Sequence, residues 1–545
     1  MNLKIKFLKF KRDLNRWSLL LLLILGIVTI PILTIGLKLF DGPGESWTHI
    51  VDYLLYDYLE NSILLAVFCS FIVIVFGVST AWLVSRFDFP MRKQLEWLLI
   101  LPLSVPAYIM AYAYAGVFGY SGLLQNLTEK LGFDNFSIDI MNIYGLSFVL
   151  SMSLFPYVYV SSRTFFLAQA TNLLEASRML GISEFKSFFK LIFPLARPAI
   201  VAGLVLVLME VLNDYGAASY YGVNTFTTGI FRSWFSLGEP ETAIYLSAIL
   251  LMIVFGLILL EKWQRRHLSF SSPKSSKKNY NSRIKPRKKN QILFSIFCSI
   301  PVLLGFIIPV IQLLIWTKQT FSRVWNIEFI SITLESFVIA FITSCVTVIF
   351  ALLLLFFSRW NKIDLLKTSS KLGILGYAIP GVIIAIGVLI PSLTLDKWLI
   401  EHKITSKLIL NATLIALIYG YVVRFLAVAY QPLESSSLKI DRSLSDSSKV
   451  LGEGNFKTFF RIEFPLIRTG LLSAFILVFI DILKELPLTL IMKPYNVNTL
   501  AVKAFEYASD EMVSSAALPS LLIILTALIP AIFLNKLLLK NASDS

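Results

Sequence analysis

Long apolar stretches alternate with short polar segments along the whole chain. A bilayer core needs roughly 20 apolar residues per helix, and twelve stretches reach that length. They centre on residues 17–37, 61–84, 97–118, 144–166, 197–215, 243–261, 292–316, 333–357, 373–393, 409–430, 469–487 and 516–535. Because a helix satisfies all its backbone polar groups within one segment in lipid, the pattern predicts an all-α polytopic membrane protein of about 12 transmembrane helices.

The orientation of these spans follows from the basic residues between them. The first stretch is too long for a signal-peptide core and no small-residue cleavage site follows it, so we expect it to remain as a span. With the N-terminus in the cytoplasm, roughly three quarters of the 49 Lys and Arg residues lie on the inner side. The positive-inside rule therefore predicts that both termini are cytoplasmic.

The composition agrees with a membrane location and excludes other classes. Of the 545 residues, 56% are hydrophobic and 15% are charged, whereas an average globular chain carries about 25% charged residues. The net charge of +15 lies mainly in inner loops, so it indicates topology rather than nucleic-acid binding. We predict no disulfide, stable metal site or cofactor, because the cysteines lie in apolar stretches and the histidines are far apart: Cys69, Cys298, Cys345, His49, His267 and His402.

A polar, basic stretch divides the chain into two halves of six spans each. We predict a cytoplasmic N-terminal segment at 1–16, a first membrane domain at 17–262, a cytoplasmic linker at 263–290 and a second membrane domain at 291–545. Segments 175–199 and 446–470 align without gaps and share Gly181/Gly452, Phe189/Phe460 and Pro194/Pro465, among other identities. Both halves thread in the same direction, so the repeat is parallel, with a pseudo-two-fold axis along the membrane normal.

The segments that match best between the halves are cytoplasmic loops, residues 171–193 and 442–464. The pattern predicts two short helices in the first loop. Gly181 can take the left-handed conformation that ends one, and Ser183 can cap the next, which carries Phe188 and Phe189. Exposed aromatic residues at two repeated positions favour a two-fold-symmetric cytoplasmic partner; a helix lying flat on the membrane surface is the alternative.

Glu175-Ala176-Ser177, followed by Gly181 and Phe193-Pro194, resembles the EAA loop of permeases in bacterial ATP-binding-cassette (ABC) importers. In that family the loop forms the coupling helix, which sits in a groove of the ATPase subunit. Asp446-Ser447-Ser448, with Gly452 and Pro465, resembles a degenerate second copy. The resemblance implies two tandem six-helix type I importer permease domains, coupled to the ATPase through Glu175, Ala176, Gly181, Phe189, Pro194, Asp446, Gly452, Phe460 and Pro465.

The chain lacks the G-x-x-x-x-G-K-[ST] loop that cradles nucleotide phosphates. We therefore predict a transporter subunit rather than an enzyme, with ATP-Mg bound by a separate ATPase. The resemblance implies two ATPase copies, an extracytoplasmic substrate-binding protein and a place in the bacterial cytoplasmic (inner) membrane. It also implies alternating access, in which ATP binding moves the coupling loops and opens the pathway outward, and hydrolysis resets it.

The outer segments 213–243 and 483–520 resemble the corresponding segments of ferric-iron importer permeases. That resemblance makes Fe³⁺ the first choice of cargo. Thiamine and polyamines remain alternatives, because fused permeases of this shape also serve thiamine and related unfused ones serve polyamines, sulfate and molybdate. Acidic residues in the spans argue against anions but not against organic cations.

Four carboxylates occupy equivalent places near the outer ends of spans five and eleven. Glu210 and Asp214 are four residues apart and share a helix face, and Asp481 and Glu485 are their repeat partners. A charge within a span costs roughly 3 kcal/mol or more and usually faces a cavity or a partner. With Tyr215, these oxygens are ligands that a hard cation accepts, so we predict that all five residues line the translocation pathway; pairing of Asp481 with Lys484 is the structural alternative.

Two other classes compete with the ABC permease. A 12-helix secondary transporter driven by protons or sodium would have the same spans and linker, with a substrate site near the midplane. It would not require duplicated aromatic loops on the cytoplasmic face. A membrane-embedded enzyme has little support, because neither H-E-x-x-H nor G-x-S-x-G occurs.

Overall fold

The computed structural model describes residues 15–119, 122–132, 138–179, 183–266, 283–361, 363, 366, 373, 375–411, 413–438 and 440–528. Regular structure in these residues is helical, and none of them belongs to a strand of a sheet. An isolated parallel bridge joins Phe87 and Ile284. The prediction of an all-helical fold is confirmed.

Ten helical segments of the described residues are long and apolar enough to cross a membrane. They are Arg16–Asp41, Leu55–Arg86, Ile143–Leu167, Phe188–Asn213, Pro240–Gln264, Lys288–Val324, Ile327–Trp360, Gly381–Glu401, Leu414–Leu438 and Asn455–Leu483. The helices Arg92–Ser104 and Ala107–Phe118 meet at an angle of 95° at the place of the predicted third span, and together they are also long and apolar enough to cross. Of the predicted last span, 516–535, the structure describes the apolar helix Val513–Leu528, and residues beyond 528 lie outside the described part.

Shorter elements connect and extend these spans. The short α-helices are Trp47–His49, Leu123–Lys130, Glu184–Ser187, Gly216–Tyr220, Phe226–Phe231, Arg442–Val450, Asn455–Thr458, Pro487–Met492 and Leu500–Ser509. The 3₁₀ turns are Leu39–Asp41, Leu101–Ser104, Leu375–Ala378 and Val513–Ala516, and the π-helical turns are Ile50–Leu54, Phe188–Ile192, Arg232–Ser236, Leu303–Ile307 and Phe459–Glu463. The fourth span helix is unusually long, Ile143–Met179, and so carries the chain into the first coupling loop.

Prolines explain the sharp bend of the third span. Pro102 lies in the 3₁₀ turn Leu101–Ser104, and Pro106 is the residue before the helix Ala107–Phe118. Proline lacks the N–H that a continuous helix would need. The Ser153 hydroxyl donates to the Val105 carbonyl at 2.8 Å, which satisfies a backbone group left by the break, as a membrane interior requires.

The described helices fall into two compact units that do not follow the sequence halves. The first unit comprises the described parts of residues 44–324 and 504–524, and the second comprises those of residues 1–43, 325–503 and 525–545. The first span therefore packs with helices of the later half; for example, Trp17 lies edge-on to Trp360 at 4.8 Å. The seventh packs with the earlier half, where the Tyr114 hydroxyl donates to the Leu304 carbonyl at 2.6 Å.

Ile284, within the predicted linker, contacts the C-terminal end of the second span helix. The Ile284 amide donates to the Arg86 carbonyl at 3.1 Å, and the Asp88 amide donates to the Ile284 carbonyl at 2.9 Å. These bonds attach residue 284 to the turn that follows the helix Leu55–Arg86. Arg86, the last residue of that helix, holds the first coupling loop through its side chain.

Candidate coupling and translocation sites

The first coupling loop extends from a span helix into two shorter elements. Glu175 and Ala176 lie in the last turns of the helix Ile143–Met179, while Gly181 lies outside the described residues. The helix Glu184–Ser187 and the π-helical turn Phe188–Ile192 follow. Pro194 then lies in the first turn of the fifth span helix, Phe193–Asn213, where a missing N–H costs nothing.

The second coupling loop repeats this order of elements. Asp446 lies in the helix Arg442–Val450. The Ser443 amide donates to the Asp441 carboxylate at the start of this helix, at 3.0 Å, and this bond lowers the pKa of Asp441 below its usual value. Gly452 has a φ of 84°, the left-handed conformation that glycine adopts without strain. Pro465 occupies the first turn of the eleventh span helix, as Pro194 does in the fifth.

An aromatic ring at the same place in each repeat anchors each loop. Phe188 packs against Trp82 with ring centroids 4.9 Å apart. Its repeat partner Phe459 packs against Phe356 at 4.3 Å. Each phenylalanine opens a π-helical turn that leads into the next span, a local irregularity that often marks functional positions.

The next residue in each loop points the other way. Phe189 is 53% exposed and Phe460 is 61% exposed. Two adjacent phenylalanines, one packed against the unit and one exposed, therefore occur at the same place in both repeats. An exposed aromatic side chain at a fixed, duplicated position provides an anchor for a partner surface.

The two loops differ in how they are held to their units. In the first unit, the buried Arg86 guanidinium donates to both carboxylate oxygens of Glu184 at 3.2 Å. In the second unit, the equivalent Arg359 donates to the Ser437 carbonyl at 3.1 Å, and Asn455 stands in place of Glu184. An ion pair thus holds the first loop, whereas a bond to backbone lies at the equivalent place in the second unit.

We expect Arg86→Met to weaken coupling to the ATPase several-fold more than Arg359→Met does. Hydrogen bonds to charged groups contribute about 1.5–3 kcal/mol, and Arg86→Met removes two from the element that carries the coupling residues. The ratio of cargo transported to ATP hydrolysed in membrane vesicles measures the effect. Equal losses in the two variants would contradict the assigned difference between the loops.

In the first unit, the carboxylate candidates lie where the fifth span helix ends. Glu210 is in the last turn of Phe193–Asn213, and Asp214 follows it directly. The Asp214 carboxylate accepts a bond from the Ala218 amide at 2.9 Å and makes no ion pair with any described residue. The Tyr215 ring stacks on Phe231 with centroids 3.6 Å apart.

In the second unit, both equivalent carboxylates have cationic partners. Asp481 pairs with Lys484 at 2.8 Å, the pairing that the sequence allowed as the alternative. Glu485 pairs with Arg424 at 3.2 Å, and their side chains are only 7% and 5% exposed. The structure thus brings Glu210, Asp214 and Tyr215 together in one unit, and Asp481 and Glu485 in the other, with different electrostatic surroundings.

Arg424 is not among the residues that the sequence pattern singles out, although a signal exists. It lies well inside the 25-residue helix Leu414–Leu438, and an intramembrane arginine usually has a partner. Its guanidinium also explains Gly381, because a Cβ there would lie 2.4 Å from Arg424 Nη1. At the equivalent positions of the first half, Ser153 replaces the arginine and Ala107 replaces the glycine.

A second repeated motif follows each carboxylate pair. Val223-Asn224-Thr225 and Val497-Asn498-Thr499 are identical tripeptides. Thr225 forms a capping box at the helix Phe226–Phe231, and Thr499 Oγ1 accepts from the Val502 amide at 3.3 Å. The threonines therefore start a helix at the same place in each repeat.

The described part of the chain contains no group of three or more His, Cys, Asp or Glu residues that could hold a metal ion.

Residues 73–265 match the family described as binding-protein-dependent transport system inner membrane component. This segment contains the first coupling loop and the first carboxylate pair. Over this segment the chain is similar to permease components of ABC transporters, a family of multi-pass inner membrane proteins that carry no cofactor and are not themselves catalytic.

Curated relatives extend the similarity over both halves. The chain is 26% identical over 530 residues to the Fe(3+)-transport system permease protein FbpB 2 of Haemophilus influenzae, which covers 95% of this chain and 98% of that protein. It is 27% identical over 249 residues to a probable molybdenum ABC transporter permease protein of Haloferax volcanii, covering 45% of this chain and 89% of that one. It is 26% identical over 231 residues to the spermidine/putrescine transport system permease protein PotB of Escherichia coli, covering 41% and 82%.

Proposed function

We propose that the chain is the permease of an ATP-driven, binding-protein-dependent importer that carries ferric iron into the cytoplasm by alternating access. One observation carries the choice of cargo. The similarity to the Fe(3+)-transport permease spans both halves and the linker between them. The molybdenum and polyamine permeases match less than half of the chain.

The chemistry of the first unit supports a hard cation. Carboxylate and phenol oxygens are the ligands that such an ion prefers, and Asp214 and Tyr215 supply them at the end of the fifth span helix. A weak, transient lining suits passage better than a tight cage. We include Glu210, Asp481 and Glu485 in the proposed lining, with the second pair tuned by Lys484 and Arg424.

The duplicated coupling loops support two ATPase subunits as partners. At the same place in each repeat, the loop presents an exposed phenylalanine, Phe189 or Phe460, from an anchored π-helical turn. In the proposed arrangement these loops, with both termini, face the cytoplasm. The outer segments then receive cargo from an extracytoplasmic binding protein.

A polyamine importer of the same architecture is the second candidate. The similarity to PotB favours it, and the Asp214 carboxylate, which makes no ion pair with a described residue, also suits an organic cation. Its cargo would be held by charge and by aromatic ring faces, rather than by coordination to oxygen.

The test is uptake by proteoliposomes that contain the full chain, its copurifying ATPase and its binding protein. We expect ATP-dependent accumulation of radiolabelled iron, and none with an ATPase variant that lacks its phosphate-loop lysine. Full-rate iron uptake with that variant would contradict ATP-driven import. Accumulation of labelled spermidine but not of iron would favour the polyamine alternative.

A further inference from the structure

A cluster of tyrosines lies beside Asp214 in the first unit. Tyr108 and Tyr112 are one turn apart on the helix Ala107–Phe118, with ring centroids 5.9 Å apart. Tyr220, the last residue of the helix Gly216–Tyr220, meets Tyr112 edge-on at 4.7 Å. The two helices thus bring phenol groups from distant parts of the chain to one place.

The Tyr112 hydroxyl has no hydrogen-bond partner among the described residues, although the side chain is only 1% exposed. A buried hydroxyl without a partner costs about 1–3 kcal/mol. The groups close enough to act on it electrostatically are Tyr108, Asp214, Tyr215 and Tyr220. Every one of them is an oxygen acid, so the surroundings are suited to a cation.

Among its described residues, the second unit has no equivalent of this cluster. The positions that correspond to Tyr108 and Tyr112 are Val382 and Ile386, both fully buried. The carboxylate that corresponds to Asp214 is Glu485, which Arg424 already neutralises. The oxygen-rich, uncompensated environment therefore belongs to the first half alone.

We propose that Asp214, Tyr112 and Tyr220 form a transient binding site for ferric ion, and that the first half alone provides it. The proposal rests on the proposed function. One carboxylate and two phenolates supply three negative charges, which balance the three positive charges of the ion. Each phenol releases one proton to water in the pathway when its oxygen coordinates, and it takes one back from water when the ion leaves. Iron keeps its oxidation state throughout.

The matched test compares three phenylalanine variants of the full chain in the reconstituted transporter. Tyr112→Phe and Tyr220→Phe remove proposed ligands and keep the rings. Tyr114→Phe is the control, because its hydroxyl lies on the same helix but donates to the Leu304 carbonyl. We expect iron uptake at limiting concentration to fall at least tenfold in the first two variants and to stay near wild type in the third.

Thermal unfolding separates this role from a structural one. Tyr112→Phe removes a hydroxyl that bonds to no described residue, so its midpoint should equal or exceed that of the wild type. Tyr114→Phe loses a hydrogen bond and should unfold slightly earlier. A large loss of stability in Tyr112→Phe would assign the hydroxyl a structural role and overturn the proposal.

Absorption spectroscopy tests direct coordination. Ferric nitrilotriacetate added to the purified full chain should produce a visible phenolate-to-iron charge-transfer band. Gallium(III), which has no such transition, should compete the band away, and Tyr112→Phe and Tyr220→Phe should lack it.

The outcomes distinguish this site from the proposed function. If the wild type takes up iron and Tyr112→Phe and Tyr220→Phe take it up equally fast, the proposed binding site is wrong, but ferric import still stands. Reduced uptake without the band in the wild type means that the hydroxyls bind complexed cargo by hydrogen bonds, which overturns direct coordination. A transporter that carries spermidine equally well in the wild type and the variants, and never iron, overturns the proposed function and the site together.

Discussion

Arg424→Met is expected to destabilise the folded chain by about 3–5 kcal/mol, because it leaves a buried carboxylate without its counter-charge. The Arg424 and Glu485 side chains are both almost fully buried, and their charged atoms lie 3.2 Å apart. Glu485 also accepts a bond from the Leu488 amide at 3.2 Å, so the carboxylate holds the short helix that follows the eleventh span. Denaturant unfolding of the purified chain in detergent measures the loss.

Two further variants isolate the cause of this effect. Arg424→Met combined with Glu485→Leu removes both charges and should recover most of the lost stability. Lys484→Met breaks the nearby pair with Asp481, whose members are more exposed, so it should cost about 1 kcal/mol or less. If Arg424→Met proves no less stable than Lys484→Met, the buried pair is not the element that holds this region.

The spans could be predicted because their cause is local. The length of each apolar stretch decides whether it can cross a bilayer, and the structure has long helices at these places. The bend of the third span also has a local cause in Pro102 and Pro106. The first and seventh spans each pack with helices of the other half, and no local sequence feature predicts this. Both spans are as apolar as the rest, so only tertiary contacts decide which helices they pack against.

The sequence alone could single out the carboxylates, because a charge within a span is costly. It could not identify all of their ion-pair partners. Lys484 could be predicted as a partner from the sequence, since it lies three residues from Asp481 along the chain. Arg424 pairs with Glu485 across more than sixty positions of sequence, so neither residue identifies the other in the linear pattern. The cluster of Tyr112 and Tyr220 depends in the same way on two helices that meet only in the folded chain.

The differences between the repeats have a common physical basis. The two halves are repeats of one another, and they differ at positions where neighbouring residues differ in pairs. A glycine at 381 makes room for Arg424, whereas Ala107 and the smaller Ser153 stand at the equivalent positions of the first half. One half thus neutralises its carboxylate internally, and the other keeps Asp214 without an ion pair among the described residues. In the proposed mechanism, the two halves share the response to ATP but not the contact with cargo.

The combined variant Phe189→Ala, Phe460→Ala is expected to abolish ATP-driven uptake while leaving the fold intact. Both side chains are more than half exposed, so their removal should change the free energy of unfolding by less than about 1 kcal/mol. Aromatic anchors at the centre of an interface often contribute 2 kcal/mol or more each. Loss of both should release the ATPase, which copurification with the chain and uptake in vesicles would measure.

The single variants and one buried control make this result specific. Phe189→Ala and Phe460→Ala should each reduce ATPase retention at least several-fold, because each loop engages one subunit. Phe459→Ala, which removes the buried anchor packed on Phe356, should instead lower stability by about 3–5 kcal/mol. A double variant that retains its ATPase and transports normally would show that these exposed rings contact lipid rather than the ATPase, and the assignment of the loops as coupling elements would then fail.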